Sequence, residues 1–232
     1  MPTMRELFEE NVGLAMSRQR DLAEKIGSWD WGLEMGTGTM TFTKKGFLGF
    51  GTKRIVTSVQ VLGSESEISQ TWLWAWANTQ SSIPAELLRA CESLRARGER
   101  EGIPECTEPQ LSLDPWDGHR IAMIASGLTP GCAGYYRGPY DGGAIFVLLT
   151  GPELVTPVEM PALRFSTLYP EILMEAEITD HRRAARGFAR GLGLTVTEER
   201  ADRWTVTDGR STLSLDFDEH GRFAGMKGAL TK

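Results

Sequence analysis

The sequence predicts an α+β protein, with antiparallel β-sheet and helices packed on one face of it. Three observations support this fold class. Apolar residues recur at helical spacing near the N-terminus, threonine, valine and tryptophan alternate with other residues along several later segments, and glycine-containing turns separate the last segments. Both ends of the chain show a helix followed by about four strands, so a fold of two α-β-β-β-β units stays open.

The first helix is predicted over residues 3–26. Thr3 and Glu6 match a capping box, and Gly27 stands where a helix C-terminus favours glycine. Alternating residues after it are typical of strands with one buried face. These strands are predicted at residues 29–31, 37–43, 54–62 and 71–78.

The middle of the chain is predicted to be mostly helical. Ser81 or Ser82 can cap a helix that has Pro84 in its first turn and ends near Gly98. A second helix is predicted from Asp114 to about residue 126. Residues 134–137 and 144–149 then form a predicted hairpin around a glycine-rich turn.

A domain boundary is predicted in residues 151–161, which contain three prolines. The predicted domains are therefore 1–150, with the tryptophan strand, and 151–232, although the two could pack as one domain. The second has predicted helices at 170–178 and 181–190, the latter capped by Asp180. It closes with a predicted meander of strands at 194–198, 204–207, 212–217 and 223–227.

The segment Thr71-Trp-Leu-Trp-Ala-Trp-Ala-Asn78 is the most distinctive stretch. Because side chains alternate on a strand, Trp72, Trp74 and Trp76 are predicted to share one face. Each indole buries about 150–250 Å², so the row offers on the order of 450–750 Å² of aromatic surface. A soluble monomer rarely leaves such a patch exposed. The row is therefore either core or the lining of a groove for a ligand or partner, and both alternatives stay open.

Bulk properties exclude several functional classes. A net charge of -6 and a pI near 5.2 argue against a nucleic-acid or membrane-surface protein. No apolar run is long enough to cross a bilayer. Three cysteines without C-x-x-C spacing indicate a reducing cytoplasm. The glycine-rich residues 46–53 only superficially resemble a phosphate-binding loop, because a strand follows them, so no cofactor is predicted.

The leading hypothesis is a non-catalytic domain that binds a small molecule or a protein in an aromatic groove. Flexible loops rich in tyrosine and arginine are common at such sites. No catalytic or metal-binding residue is predicted. The predicted ligand- or partner-binding residues are Trp72, Trp74, Trp76, Asn78, Tyr135, Tyr136 and Arg137.

Two other functions remain open. One is a small-molecule enzyme, a hydrolase or an isomerase, with a site between the two halves of the chain. Its polar groups would be Asp117, His119, Arg137 and His181, although Asp117 also suits the first turn of a helix. The other is a structural partner in a toxin-neutralising or secretion system, which would bind through its acidic surface.

Four strings carry a resemblance to a known family: Gly63-Ser-Glu-Ser66, residues 71–78, Gly134-Tyr-Tyr-Arg137 and Asp180-His-Arg182. Over roughly residues 28–190 the chain resembles an uncharacterised family of bacterial proteins, a domain of unknown function. The resemblance implies a bacterial, intracellular protein and transfers no activity, cofactor or site residue.

Overall fold

The structure is a computed structural model that describes residues 1–46 and 51–229. The chain divides into two compact units: unit 1 comprises Met1–Met4 and Arg18–Thr156, and unit 2 comprises Arg5–Ser17 and Pro157–Lys232. The division after Thr156 falls inside the proline-containing stretch 151–161. The N-terminal helix contributes residues to both units. A single domain boundary placed at a change in composition cannot predict such a division. Residues 47–50 of the glycine-rich stretch lie outside the described residues.

Helix α1 (Met4–Ile26) closely matches its prediction. Its buried apolar side chains, which recur at helical spacing, are Met4, Leu7, Phe8, Val12, Ala15, Leu22 and Ile26. Gly27 ends the helix with a φ of +44°, a backbone conformation that glycine adopts at little cost.

Unit 1 contains a seven-stranded antiparallel sheet within the described part of the chain. Strand β3 is the longest and lies at its centre: β2 and β4 pair with β3, β1 extends β2, β5 extends β4, and β7 pairs with both β3 and β6. The strands are β1 (Asp30–Glu34), β2 (Thr39–Lys45), β3 (Thr52–Ser66), β4 (Thr71–Trp74), β5 (Gln110–Ser112), β6 (Gly134–Tyr140) and β7 (Gly143–Leu149).

This sheet is strongly curved. The Phe42 ring on β2 and the Tyr136 ring on β6 have centroids 5.2 Å apart. In hydrogen-bonding order three lateral steps separate these strands, which would place them about 14 Å apart in a flat sheet. Trp31 on β1 also approaches Tyr136, at 5.6 Å. The sheet therefore bends toward this face, where aromatic rings from distant strands meet.

The opposite face of the sheet packs against α3 (Gly118–Leu128). A Cβ atom on Gly118 would lie 2.4 Å from the Phe146 ring, so glycine permits close approach of helix and sheet. The N-cap is Asp117, whose side chain accepts a hydrogen bond from the Arg120 N–H, and not Asp114 as predicted. Asp114 and Pro115 lie in the turn that precedes the helix, and Trp116 connects this turn to the cap.

Helix α2 (Arg89–Glu101) begins later than predicted and does not end at Gly98. A 3-10 turn, Ala85–Leu87, occupies the predicted first turn. Gly98 lies inside the helix, at a position where a Cβ would approach Cys106 to 2.5 Å, and the C-cap is Gly102, with a φ of +70°. Glycine at Gly98 thus serves helix packing and not helix termination.

Unit 2 contains two further helices and a four-stranded antiparallel meander. Helix α5 packs closely on α1: a Cβ on Gly187 would lie 2.1 Å from the Glu10 carbonyl oxygen. The elements are α4 (Pro161–Glu175), α5 (His181–Gly191), β8 (Thr195–Arg200), β9 (Arg203–Thr207), β10 (Thr212–Phe217) and β11 (Phe223–Ala229). The helices and antiparallel sheets of the two units together confirm the α+β class.

Candidate functional site

The tryptophan strand is shorter than predicted. Strand β4 ends at Trp74, and residues Ala75–Ala77 form a 3-10 turn. Trp72 and Trp74 do share a face, with ring centroids 5.5 Å apart, but Trp76 does not continue their row. The prediction of three aligned indoles is therefore wrong for Trp76, because the strand ends at Trp74, two residues before it.

Trp72 and Trp74 lie in the core of unit 1. Both side chains have 0% exposure, so neither can line an open groove, and this part of the prediction is corrected. The Trp74 Nε1–H donates to the Glu105 carbonyl oxygen at 3.0 Å, and Trp72 packs edge-on against Phe146 at 5.5 Å. Their burial follows from the helical layer that covers this face of the sheet, α3 together with the segment around Glu105.

Trp76 and Asn78 lie at the surface end of this segment. The Arg95 guanidinium of α2 lies 4.3 Å from the Trp76 ring centroid, a cation–π geometry. Asn78 orders the following turn, since its Oδ1 accepts a hydrogen bond from the Ser81 N–H at 3.1 Å. Both residues are partly exposed.

The predicted Tyr135, Tyr136 and Arg137 are divided between the two faces of β6, as strand alternation requires. Tyr136 joins the aromatic cluster on the concave face. Arg137 forms ion pairs with Glu65 at 2.8 Å and with Glu67 at 3.2 Å. The Glu65 side chain is only 10% exposed, so these bonds fix Arg137 within unit 1.

Tyr135 is buried and shares a 2.9 Å hydrogen bond with Nδ1 of His119. Burial raises the pKa of Tyr135, and the Asp117 carboxylate raises it further. The phenol is therefore neutral at physiological pH, and the pair is a fixed hydrogen bond in a ring cluster that also includes Phe146. Asp117 itself is used as the helix cap.

His181 belongs to unit 2, whereas His119 belongs to unit 1. Nδ1 of His181 accepts a hydrogen bond from the Phe223 N–H at 3.0 Å. Burial lowers the pKa of His181. The charged groups that act on this ring are Asp180, Asp218 and Glu9, which raise the pKa, and Arg222, which lowers it.

This arrangement predicts a pH dependence of stability. Because the folded-state pKa of His181 is lowered, its contribution to stability is present above the unfolded value of about 6.5 and is lost as pH falls through the folded pKa. Urea unfolding of the wild type and of His181→Asn, whose Oδ1 can still accept the Phe223 bond, measures this. The wild type should lose more stability than the variant between about pH 7 and pH 5. Parallel profiles would contradict the assignment.

A groove of about 530 Å³ lies in unit 1, along one side of α2. It is not among the sites predicted from the sequence. We name it the α2–α3 groove, since α2 and the C-terminal end of α3 contribute most of its lining. Its lining residues are Gln60, Arg89, Ala90, Ser93, Leu94, Ala96, Arg97, Arg100, Ala125, Leu128, Thr129, Pro130 and Thr150.

The lining of this groove combines positive charge with apolar surface. Arg89, Arg97 and Arg100 lie within an arc of about 80° on α2, because each residue advances a helix by about 100°. This spacing is a signal that the sequence did carry. The part of the lining that comes from residues 125–130 could not be predicted from residue spacing, because it depends on how α2 and α3 pack.

Among residues 1–46 and 51–229, no group of three or more histidine, cysteine, aspartate or glutamate side chains could hold a metal ion. In that same part of the chain, no helix has the length and apolar character needed to cross a membrane.

Comparison with known proteins gives one match. The model of a family of unknown function, DUF6882, matches residues 5–152, which is more than half of the chain. The resemblance to a domain of unknown function is therefore confirmed, with a range that begins earlier and ends earlier than the predicted 28–190. Neither the curated proteins nor the solved structures contain a match.

Proposed function

We propose that this chain, which belongs to the DUF6882 family of unknown function, is a non-catalytic protein that binds a small amphiphilic anion in the α2–α3 groove. One observation carries the proposal. The described lining of the groove contains three arginines and no carboxylate, in a chain whose net charge is -6. Positive charge concentrated in a groove of an acidic protein favours an anionic ligand.

The guanidinium groups retain donors for such a ligand. Arg89 has no acidic side chain within ion-pair distance among the residues that the structure describes. Arg97 and Arg100 share one carboxylate, Glu101, at 2.8 Å and 3.2 Å. Arg97 uses its Nε in that pair, so its two terminal nitrogens can still donate to a carboxylate or phosphate.

The negative end of the α3 dipole borders the groove and would oppose an anion there. Arg18 offsets it: its Nη1 donates to the carbonyl oxygens of Ser126 and Thr129. The last turn of α3 therefore presents carbonyls that already have a cationic partner.

The rest of the lining suits an apolar body. Ala90, Leu128 and Pro130 supply aliphatic surface beside the arginines, above the buried Leu94 and Ala125. A volume of about 530 Å³ is within the range of about 300–1,000 Å³ that is usual for small-molecule sites. A ligand with one anionic group and a short apolar body matches both features.

A binding role is favoured over catalysis because the described lining holds no histidine, cysteine or carboxylate. Acid–base and nucleophilic chemistry both depend on such groups. A cytoplasmic location in a bacterial cell is part of the proposal. The cytoplasmic location is supported by the three free cysteines, Cys91, Cys106 and Cys132, all of which are buried.

Isothermal titration with octanoate, octan-1-ol and inorganic phosphate tests the proposal. Octanoate should bind at one site per chain and more tightly than the alcohol of equal length or phosphate alone. The double variant Arg89→Glu/Arg100→Glu should weaken octanoate binding by about 10- to 100-fold, since hydrogen bonds to charged groups contribute about 1.5–3 kcal/mol. Added salt should weaken binding further.

Arg95→Glu is the matched control. Arg95 is an arginine of the same helix, but it lies over Trp76 and does not line the groove. Octanoate affinity should therefore be unchanged in this variant. The proposal fails if octanoate shows no saturable binding, or if the control and the double variant weaken it equally.

A further inference from the structure

A second cavity lies in unit 1, on the side of β4 that is opposite to Trp72 and Trp74. Strand alternation places Leu73 on this side. Leu73 pairs with Ser64 on β3, and Ser64 pairs with Ile145 on β7, so these three residues form a continuous row across the sheet. The row forms the floor of a cavity of about 200 Å³, named here the Asn78 cavity.

The walls of the Asn78 cavity come from two turns. Met35, from the connection between β1 and β2, forms one side, and Asn78, Ser81 and Ile83 form the other. The hydrogen bond from the Ser81 N–H to the Asn78 Oδ1 fixes the second wall. Asn78 is thus the predicted site residue that does border a cavity.

The chemistry of this lining differs from that of the α2–α3 groove. Met35, Leu73, Ile83 and Ile145 are apolar and each is partly exposed, which leaves them available to a ligand. The Ser64 and Ser81 hydroxyls and the Asn78 amide nitrogen can form hydrogen bonds. No ionisable side chain belongs to the described lining, so nothing there compensates a charged ligand for lost hydration.

The volume of the Asn78 cavity further limits the class of ligand that it can hold. An apolar cavity of about 150 Å³ in a protein is sufficient to hold benzene. The Asn78 cavity, at about 200 Å³, has room for one ring that carries a small polar substituent. We propose that it is a second binding site, independent of the α2–α3 groove, for a neutral one-ring molecule with a hydroxyl or amide group, such as a phenol or a benzylic alcohol.

Methyl-resolved NMR titration of the full chain with benzyl alcohol, benzoate and benzylammonium tests this inference. The three probes share a ring and differ in charge. Benzyl alcohol should shift the methyl signals of Met35, Leu73, Ile83 and Ile145 saturably, and neither ion should do so. Saturable shifts with both ions, shifts confined to Leu94 and Leu128 of the α2–α3 groove, or no saturable shift would each overturn it.

Two substitutions locate the site. Ile145→Phe fills the cavity from its floor and should weaken benzyl alcohol binding by about tenfold or more. Val56→Phe makes a similar change at an exposed position of the same sheet and should leave the affinity unchanged. Ser64→Ala, which retains the shape of the floor, should reduce the preference for benzyl alcohol over toluene. Equal affinities in the wild type, Ile145→Phe and Ser64→Ala would contradict the site.

Discussion

Replacing Trp74 by alanine is expected to lower the free energy of unfolding of unit 1 by about 3–5 kcal/mol. The indole is completely buried, packs edge-on against Trp72, and donates its N–H to the Glu105 carbonyl oxygen. Alanine removes the ring, leaves a cavity in the core and deprives that carbonyl of its donor. Since domains are stable by only about 5–15 kcal/mol, the variant should be close to unfolded at 37 °C.

Urea unfolding followed by tryptophan emission measures this change, because six of the seven tryptophans belong to unit 1. Trp74→Phe retains much of the ring volume and should cost less than Trp74→Ala. Ile68→Ala is the exposed control: Ile68 is 89% exposed, and its truncation should change stability by less than about 0.5 kcal/mol. Equal effects at Trp74 and Ile68 would show that Trp74 is not a core residue.

Replacing Glu9 by alanine is expected to destabilise unit 2 by about 1.5–3 kcal/mol, the usual contribution of hydrogen bonds to a charged group. Glu9 is only 2% exposed. Its Oε1 accepts hydrogen bonds from the Thr179 N–H at 2.8 Å, the Thr179 hydroxyl at 2.7 Å and the Asp180 N–H at 3.2 Å, and its Oε2 lies 3.7 Å from the Arg183 Nε. Alanine removes the one carboxylate that these three donors share, immediately before α5 begins.

Circular dichroism during urea unfolding provides the measurement. Glu9→Gln retains one carbonyl acceptor and should be less destabilised than Glu9→Ala. Glu10→Gln is the neighbouring control: Glu10 lies 3.5 Å from Arg183 but is 37% exposed, so its loss should cost about 1 kcal/mol or less. A Glu9→Ala protein as stable as Glu10→Gln would contradict the proposed anchoring role of Glu9.

The fold class was predictable because local patterns carry it. The α1 stripe, the alternation of β2 and the meander of unit 2 all follow from spacing along one element. The same alternation correctly places Trp72 and Trp74 on one face. It fails at Trp76, since alanine is a poor strand former and a good helix former, and Ala75 and Ala77 flank this tryptophan in a 3-10 turn.

The predicted start of α4 is wrong because Pro170 lies inside the helix. The helix was predicted to begin near Pro170, but it extends from Pro161 to Glu175 and contains Pro170 in its interior. Pro161 stands in the first turn, where proline is favourable. Phe165 and Tyr169, which lie one helical turn apart, are both fully buried. The stabilisation from their burial outweighs the loss of the backbone hydrogen bond that Pro170 cannot donate.

The candidate sites were less predictable than the fold. Each cavity is formed by segments that are distant in the sequence, such as α2 with residues 125–130, or Met35 with Ile145. The sequence left both a core and a groove open for the tryptophan row, because it does not show the helical layer that buries Trp72 and Trp74. Arg89, Arg97 and Arg100 share a face of α2 that helical spacing reveals, but their role depends on the groove beside them.

The most direct test of the proposed function is to locate bound octanoate by backbone amide chemical shifts. Saturable shifts are expected to be concentrated in residues 89–100 of α2 and residues 125–130, which contribute to the lining of the groove. Saturable shifts centred on other parts of the chain, with α2 unaffected, would contradict it.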